Sequence, residues 1–192
     1  SGWLLPVLIV SKLNNHCVED ILRFYNSEFG AVRAMVNRFN IGGLGKINAS
    51  ELNLTIAELK DAFARVDKVA GELGMTIQSG VCTPMSVLNP DDYPNIMFSH
   101  CSTDLSNRPL TINYKGEVRF CNHSPRVLGN IYDKSIGQII TESQNDGYFD
   151  KIPAPCDTCK LWSRCRGGCR AASEQLYGTF DMPDPIKTAY EL

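Results

Sequence analysis

Eight cysteines set this sequence of 192 residues apart: Cys17, Cys82, Cys101, Cys121, Cys156, Cys159, Cys165 and Cys169. The last six fall between residues 101 and 169, and four of them form the block Cys156-x2-Cys159-x5-Cys165-x3-Cys169. Two thiolates separated by two residues can face the same space when the backbone turns between them. So few residues between sulfurs leave little sequence to build a core, and such loops need a cross-link or a metal to be ordered. Three chemistries suit the block. Disulfides need an oxidising compartment, and nothing in the sequence argues for export. A single zinc held by four thiolates has the right ligand type and count. Iron–sulfur clusters use the same ligands. The block alone leaves zinc and iron–sulfur both open. Gly167 and Gly168 lie between the last two cysteines and allow backbone amides to approach sulfur. Arg164, Arg166 and Arg170 would offset the negative charge of the thiolates.

The upstream pair extends the pattern. Cys101 is followed by 14 residues, then Gly116, four more residues and Cys121, ahead of the four-cysteine block. These six positions together resemble the signature of the SPASM domain, the auxiliary iron–sulfur domain of radical SAM enzymes that modify peptides and proteins, such as the sulfatase maturases. The intervening residues are similar in kind. Gly116-Glu117-Val118-Arg119-Phe120-Cys121-Asn122 and Leu128-Gly129-Asn130-Ile131 look like the family's hairpin and following strand. Cys165-Arg166-Gly167-Gly168-Cys169-Arg170-Ala171 looks like its most distinctive stretch.

The resemblance implies up to two auxiliary 4Fe-4S clusters with interleaved ligands. Cys101, Cys121 and Cys169 would serve the cluster nearer the catalytic barrel, and Cys156, Cys159 and Cys165 the outer one. Each set is one ligand short. The family's final cysteine follows an Asp-Pro, but here Asp184-Pro185 leads into Ile186-Lys187 and no cysteine follows Cys169. The fourth ligands are therefore expected among Cys82, Asp181 and Asp184, or a site stays open. The defining triplet C-x3-C-x2-C, whose cluster cleaves S-adenosyl-L-methionine (SAM), is absent from these residues. The resemblance thus implies the C-terminal part of a radical SAM enzyme, with SAM bound only by the intact protein and this part inactive alone. It implies a peptide or protein substrate and an electron donor such as flavodoxin or ferredoxin. A rival from another class is a non-catalytic, zinc-stabilised binding module using the same cysteines.

The elements that would position these residues differ between the two halves. Val7 to Val10 reads as a strand buried on both faces. Asn15 is placed to cap a helix with Val18, Ile21, Leu22 and Tyr25 on its apolar face and Gly30 past its end. Ala31 to Phe39 reads as a second strand, followed by the glycine-rich loop Gly42 to Gly45. That loop lacks a following Lys-Ser/Thr and is no phosphate loop. With Asn14 and Asn15 it is a candidate for the SAM pocket. Thr55-Ile56-Ala57-Glu58 is a capping box opening a helix that stops at Gly74, and Met75 to Val81 reads as a third strand. Three strands and two helices in alternation predict an α/β fold, the tail of a partial (β/α) barrel over residues 1–81. Residues 82–100, punctuated by Pro84, Pro90 and Pro94, read as a linker. Residues 101–192 read as a small cysteine-rich α+β SPASM domain. Its hairpin joins Leu110 to Tyr114 and Glu117 to Cys121, and its short helix opens at the capping box Ser135 to Gln138. Cys17 reads as structural, His16 as a helix-start residue, and His100 and His123 flank proposed ligands.

A net charge of -2 gives no basic footprint for nucleic acid. The opening run Trp3 to Val10 is too short to span a membrane and lacks the flanks of a secretory signal. With free cysteines in number, the expected location is the cytoplasm.

Overall fold

The computed structural model describes residues 4–187; Ser1, Gly2, Trp3 and residues 188–192 lie outside the described residues. The chain divides into two compact units. Within the described residues, the first comprises 4–100 together with 185–187, and the second comprises 101–184.

The first unit is an α/β layer built on β1 (Val7–Val10), α1 (Val18–Phe29), β2 (Arg33–Arg38), α2 (Ile56–Leu73), β3 (Thr76–Ser79) and β4 (Ile96–Phe98). The four strands run parallel in the order β1-β2-β3-β4. Val7 sits opposite Met35, Arg33 opposite Thr76, and Ile77 opposite Ile96. Local chemistry sets the helix ends. The Thr55 hydroxyl accepts from the Glu58 amide while the Glu58 carboxylate accepts from the Thr55 amide, so the capping box is complete. Gly30 and Gly74 end the two helices at φ 59° and 62°, a region where a side chain would be strained. Asn15 does not cap α1. The residue before that helix is Cys17, which makes no side-chain cap, and a short 3₁₀ turn over Asn15–Cys17 takes the place of the expected start. Asn14 instead closes the turn after β1, accepting from the Ser11 amide and donating to the Ile9 carbonyl.

One face of the sheet is dry. Leu8, Val10, Ala34, Val36, Ile77 and Ile96 pack against Val18 and Leu22 of α1 and against Leu59, Phe63, Val66 and Ala70 of α2. Val7, Ile9 and Met97 on the other face are 51%, 43% and 53% exposed. That face borders a groove of about 530 Å3 lined by Leu4, Leu5, Arg33, Ala34, Thr76, Gln78 and Met97. The expected burial of β1 on both faces is therefore met on one face only.

The segment expected to be a linker is part of this unit. Residues 82–100 supply β4, and Asp67 of α2 fastens its approach by accepting from the Asn95 amide at 2.7 Å. Phe63 packs between Tyr93 and Phe98, with ring centroids 6.4 and 6.0 Å away. The sheet thus has four strands where the sequence predicts three. The expected C-terminal boundary also moves, because Ile186 is fully buried within the first unit's core.

The second unit carries a three-stranded antiparallel sheet of β5 (Thr111–Ile112), β6 (Glu117–Arg119) and β7 (Val127–Asn130). Gly116 turns the β5–β6 hairpin at φ 78°, where an added Cβ would stand 2.7 Å from the Tyr132 ring. Helix α3 (Ile136–Asn145) begins at the predicted capping box of Ser135 and Gln138, and α4 (Arg170–Tyr177) follows the last cysteine. Phe120, Phe149 and Phe180 form the core, with centroids 4.7 to 5.3 Å apart. Among the described residues no helix is long and apolar enough to cross a membrane.

Truncating Phe63 removes the ring that joins α2 to the β4 segment. Phe63→Ala is expected to cost about 3–5 kcal/mol of unfolding free energy in a denaturant titration. Hydrogen exchange should accelerate most at Ile96–Phe98.

Candidate metal centre

All eight cysteines lie among the described residues. Six of them, the proposed ligands, belong to the second unit. Cys101 is buried, Cys121, Cys156, Cys165 and Cys169 are half-buried, and Cys159 is exposed.

Cys101 and Cys121 form one neighbourhood around Arg108. The Arg108 Nη1 lies 4.0 Å from the Cys101 sulfur, and its guanidinium stacks 3.6 Å from the centroid of Phe120. The turn after Cys121 aims the amides of His123 and Ser124 at the Cys121 sulfur. Burial pushes the Cys121 thiol up; those two amides and Arg108 oppose the shift, and Cys101 adds to it.

Helix α4 holds this turn in place. Ser124, fully buried, donates to the Glu174 carboxylate at 2.5 Å, and the Tyr148 hydroxyl donates to the other Glu174 oxygen at 2.5 Å. Burial and Glu174 together raise the Tyr148 pKa. Gln175 donates to the His123 carbonyl at 2.7 Å. A buried carboxylate left unpaired would be costly, so the triad fixes α4 against the Cys121 loop.

Cys156, Cys159 and Cys165 form a second neighbourhood. Successive turns fold this stretch: the Cys156 amide donates to the Pro153 carbonyl, Cys159 to Cys156, and Trp162 to Cys159. Burial pushes the Cys156 thiol up, and Cys165 and Cys159 add to the shift while Arg170 opposes it. Arg166, Gly167 and Gly168 then run consecutively through positive φ, at 54°, 77° and 81°. A Cβ on Gly167 would touch the Cys156 sulfur and the Trp162 ring, both at 3.4 Å. The glycine pair therefore provides the close backbone approach that its spacing suggests.

Cys169 precedes α4, and its amide donates to the Asp184 carboxylate at 2.6 Å. Of the candidate fourth ligands, Asp184 is 3% exposed and sits beside Cys169. The Asp181 side chain is 46% exposed, faces Lys151 at 3.8 Å and accepts from Thr179. Cys82 belongs to the first unit, where its carbonyl accepts from the buried Arg38 at 3.1 Å. His100 is exposed, and His16 stands in the 3₁₀ turn ahead of α1. Sequence reasoning missed Arg108, Ser124, Tyr148 and Glu174, none of which has a spacing that marks it.

With this geometry in hand, the comparisons with known proteins are decisive for one part of the chain. Residues 101–166 match the model of SPASM, an iron–sulfur cluster-binding domain. This segment is a SPASM domain. Solved structures agree on the fold. Native anSMEcpe with bound AdoMet shares 14% identity at a TM-score of 0.57, covering 96% of this chain and 52% of that one. The complex of native anSMEcpe with AdoMet and Cp18Cys peptide shares 13% identity at a TM-score of 0.56, covering 96% and 53%. The complex with Kp18Cys peptide gives 14%, 0.56, 96% and 52%. The chain spans about half the length of the solved structures it matches.

The SPASM residues present here fit iron–sulfur clusters. Five of the six sulfurs fall into two neighbourhoods, each with backbone amides or a glycine cradle and each near a guanidinium. Arg170, fully buried, keeps Nε and Nη1 without a hydrogen-bond partner among the described residues.

Gly167→Ala tests the cradle. Forcing a side chain into the left-handed region costs about 1–2 kcal/mol, and the new methyl presses on Cys156. Iron content after anaerobic reconstitution is expected to fall, whereas Gly137→Ala, where the Cβ meets nothing within 4 Å, should leave it unchanged.

Proposed function

We propose that this chain is the C-terminal part of a radical SAM maturase acting on a peptide or protein, and that its SPASM domain holds two auxiliary 4Fe-4S clusters. The carrying observation is the segregation of the cysteines within the matched domain: Cys101 with Cys121, and Cys156 with Cys159 and Cys165. The first unit serves as the tail of the partial barrel, a reading supported by its parallel sheet and by the fold it shares with anSMEcpe. Peptide substrates are supported by the two anSMEcpe complexes with the Cp18Cys and Kp18Cys peptides. A flavodoxin or ferredoxin donor and a cytoplasmic location complete the proposal.

Cys101, Cys121 and Cys169 would hold the inner cluster, with Asp184 beside Cys169 as the nearest candidate for its remaining position. Cys156, Cys159 and Cys165 would hold the outer one. Bound clusters of this kind accept and pass on single electrons. The protein's own contribution is electrostatic. Arg108 and Arg170 lower the cost of gathering thiolates, and the His123 and Ser124 amides donate to the Cys121 sulfur. The Phe120, Phe149 and Phe180 core gives the loops a rigid support.

Anaerobic iron and sulfide reconstitution is expected to give a brown protein with the visible absorbance of thiolate-ligated iron. Stoichiometric zinc with no capacity for iron would establish the zinc module instead. Iron counts also test the grouping. The double variant Cys121→Ala/Cys169→Ala should lose no more iron than either single variant, about half. The pair Cys159→Ala/Cys169→Ala should lose nearly all of it. If Cys159 and Cys169 prove equivalent, the four-cysteine block is one closed site.

The SAM-cleaving triplet C-x3-C-x2-C is not among these residues. With dithionite and SAM, the cluster-loaded chain is expected to form no 5′-deoxyadenosine. Formation of it by these 192 residues would contradict the assignment.

A further inference from the structure

Three arginines follow Cys159, and the structure separates them. Arg164 is exposed. Arg166 is half-buried and lies 5.7 Å from the Trp162 ring. Arg170 has no exposed surface. Its Nη2 donates to the Lys151 carbonyl at 3.0 Å and to the Phe180 carbonyl, and its guanidinium packs 4.6 Å from the Phe180 centroid. Those contacts use one nitrogen. Nε and Nη1 are both buried and have no hydrogen-bond partner among the described residues. Leaving the three N–H donors of these two nitrogens unpaired in the interior is costly for a cation, and a protein tolerates it where another group takes them up. The acidic groups around Arg170 identify that group by type. They are the Cys101 and Cys156 thiols, one from each neighbourhood, followed by Asp181 and Tyr148.

We propose that Arg170 is a positioning residue shared by both auxiliary clusters, its Nε–H and Nη1–H donating to sulfur on the Cys101 side and on the Cys156 side. This rests on the cluster-binding reading above. Reduction adds one electron, and hence one negative charge, to a site; no bond to the protein forms or breaks, and Arg170 keeps its proton. A buried cation and its N–H donors stabilise the reduced form more than the oxidised form, so Arg170 raises both potentials. A guanidinium suits this place because it stays charged when buried and presents donors in several directions from one rigid plane. Lysine would supply the charge without the fork.

The test uses the anaerobically reconstituted chain, with iron counting and an EPR-monitored dithionite titration. Arg170→Gln is expected to weaken the reduction equilibrium about tenfold at each cluster, a drop of about 59 mV for one electron. Arg170→Lys should fall between Gln and wild type, and Lys134→Gln, on an exposed lysine that faces Glu142, should match wild type. Variants with full iron and wild-type potentials would overturn the proposal. A shift confined to one cluster would overturn the shared role. Failure of both Arg170 variants to load iron while wild type loads it would also overturn it, since Arg170 would then act only as an anchor for the Lys151 and Phe180 carbonyls. Failure of wild type to load iron would instead refute the cluster-binding reading itself.

Discussion

Gathering thiols at close quarters is an electrostatic problem before it is a coordination problem. Each sulfur that ionises makes the next ionisation harder, and burial makes both harder. The SPASM segment meets this with guanidinium groups seated on aromatic rings. Arg108 stacks on Phe120 beside Cys101, and Arg170 packs on Phe180 near Cys101 and Cys156. The same three phenylalanines pack together in the unit's apolar core, with Leu105, Val118 and Ile139 also buried. Core and counter-charge are therefore one construction, and the loops bearing the cysteines hang from it.

The short helix α4 ties this construction together. Four of its first six residues pin the loops around it: Arg170 holds Lys151 and Phe180, Ser173 holds Pro183, Glu174 holds Ser124 and Tyr148, and Gln175 holds His123. Because Cys169 stands immediately before it, the helix relates the last cysteine to the loop that follows Cys121. A helix of eight residues gains little from its own backbone bonds. Its stability comes from these side-chain ties.

Much of the architecture was legible because its signals are local. Capping boxes at Thr55 and Ser135, terminal glycines at 30 and 74, and the glycine turn at 116 all act within a few residues, and all stand where the sequence puts them. The cysteine spacing likewise marked the matched domain. What escaped depends on distant partners. Strand β4 is three residues long and follows Pro94, so its composition resembles a linker; its pairing with Ile77 and its contact with Phe63 make it a strand. Asn15 had the right residue type for a cap, but Asn14 and Ser11 reorganised the turn ahead of it. Arg108 and the Ser124–Glu174–Tyr148 triad arise from contacts across 7 to 50 positions, which no spacing rule reports.

The burial of Ile186 in the first unit makes the second unit an insertion in the chain, leaving after His100 and returning at Pro185. An insertion of 84 residues (101 to 184) closes a loop, and a loop's entropic penalty depends on how much of it is free to move. When the insertion is ordered, few free residues separate the two crossings and Ile186 is delivered to its site almost intramolecularly rigid. When it is disordered, the same docking must confine a long flexible tether, and the penalty grows with the logarithm of its length. Order among the cysteine loops is thus linked thermodynamically to the seating of one isoleucine in a sheet-and-helix core that contains none of them.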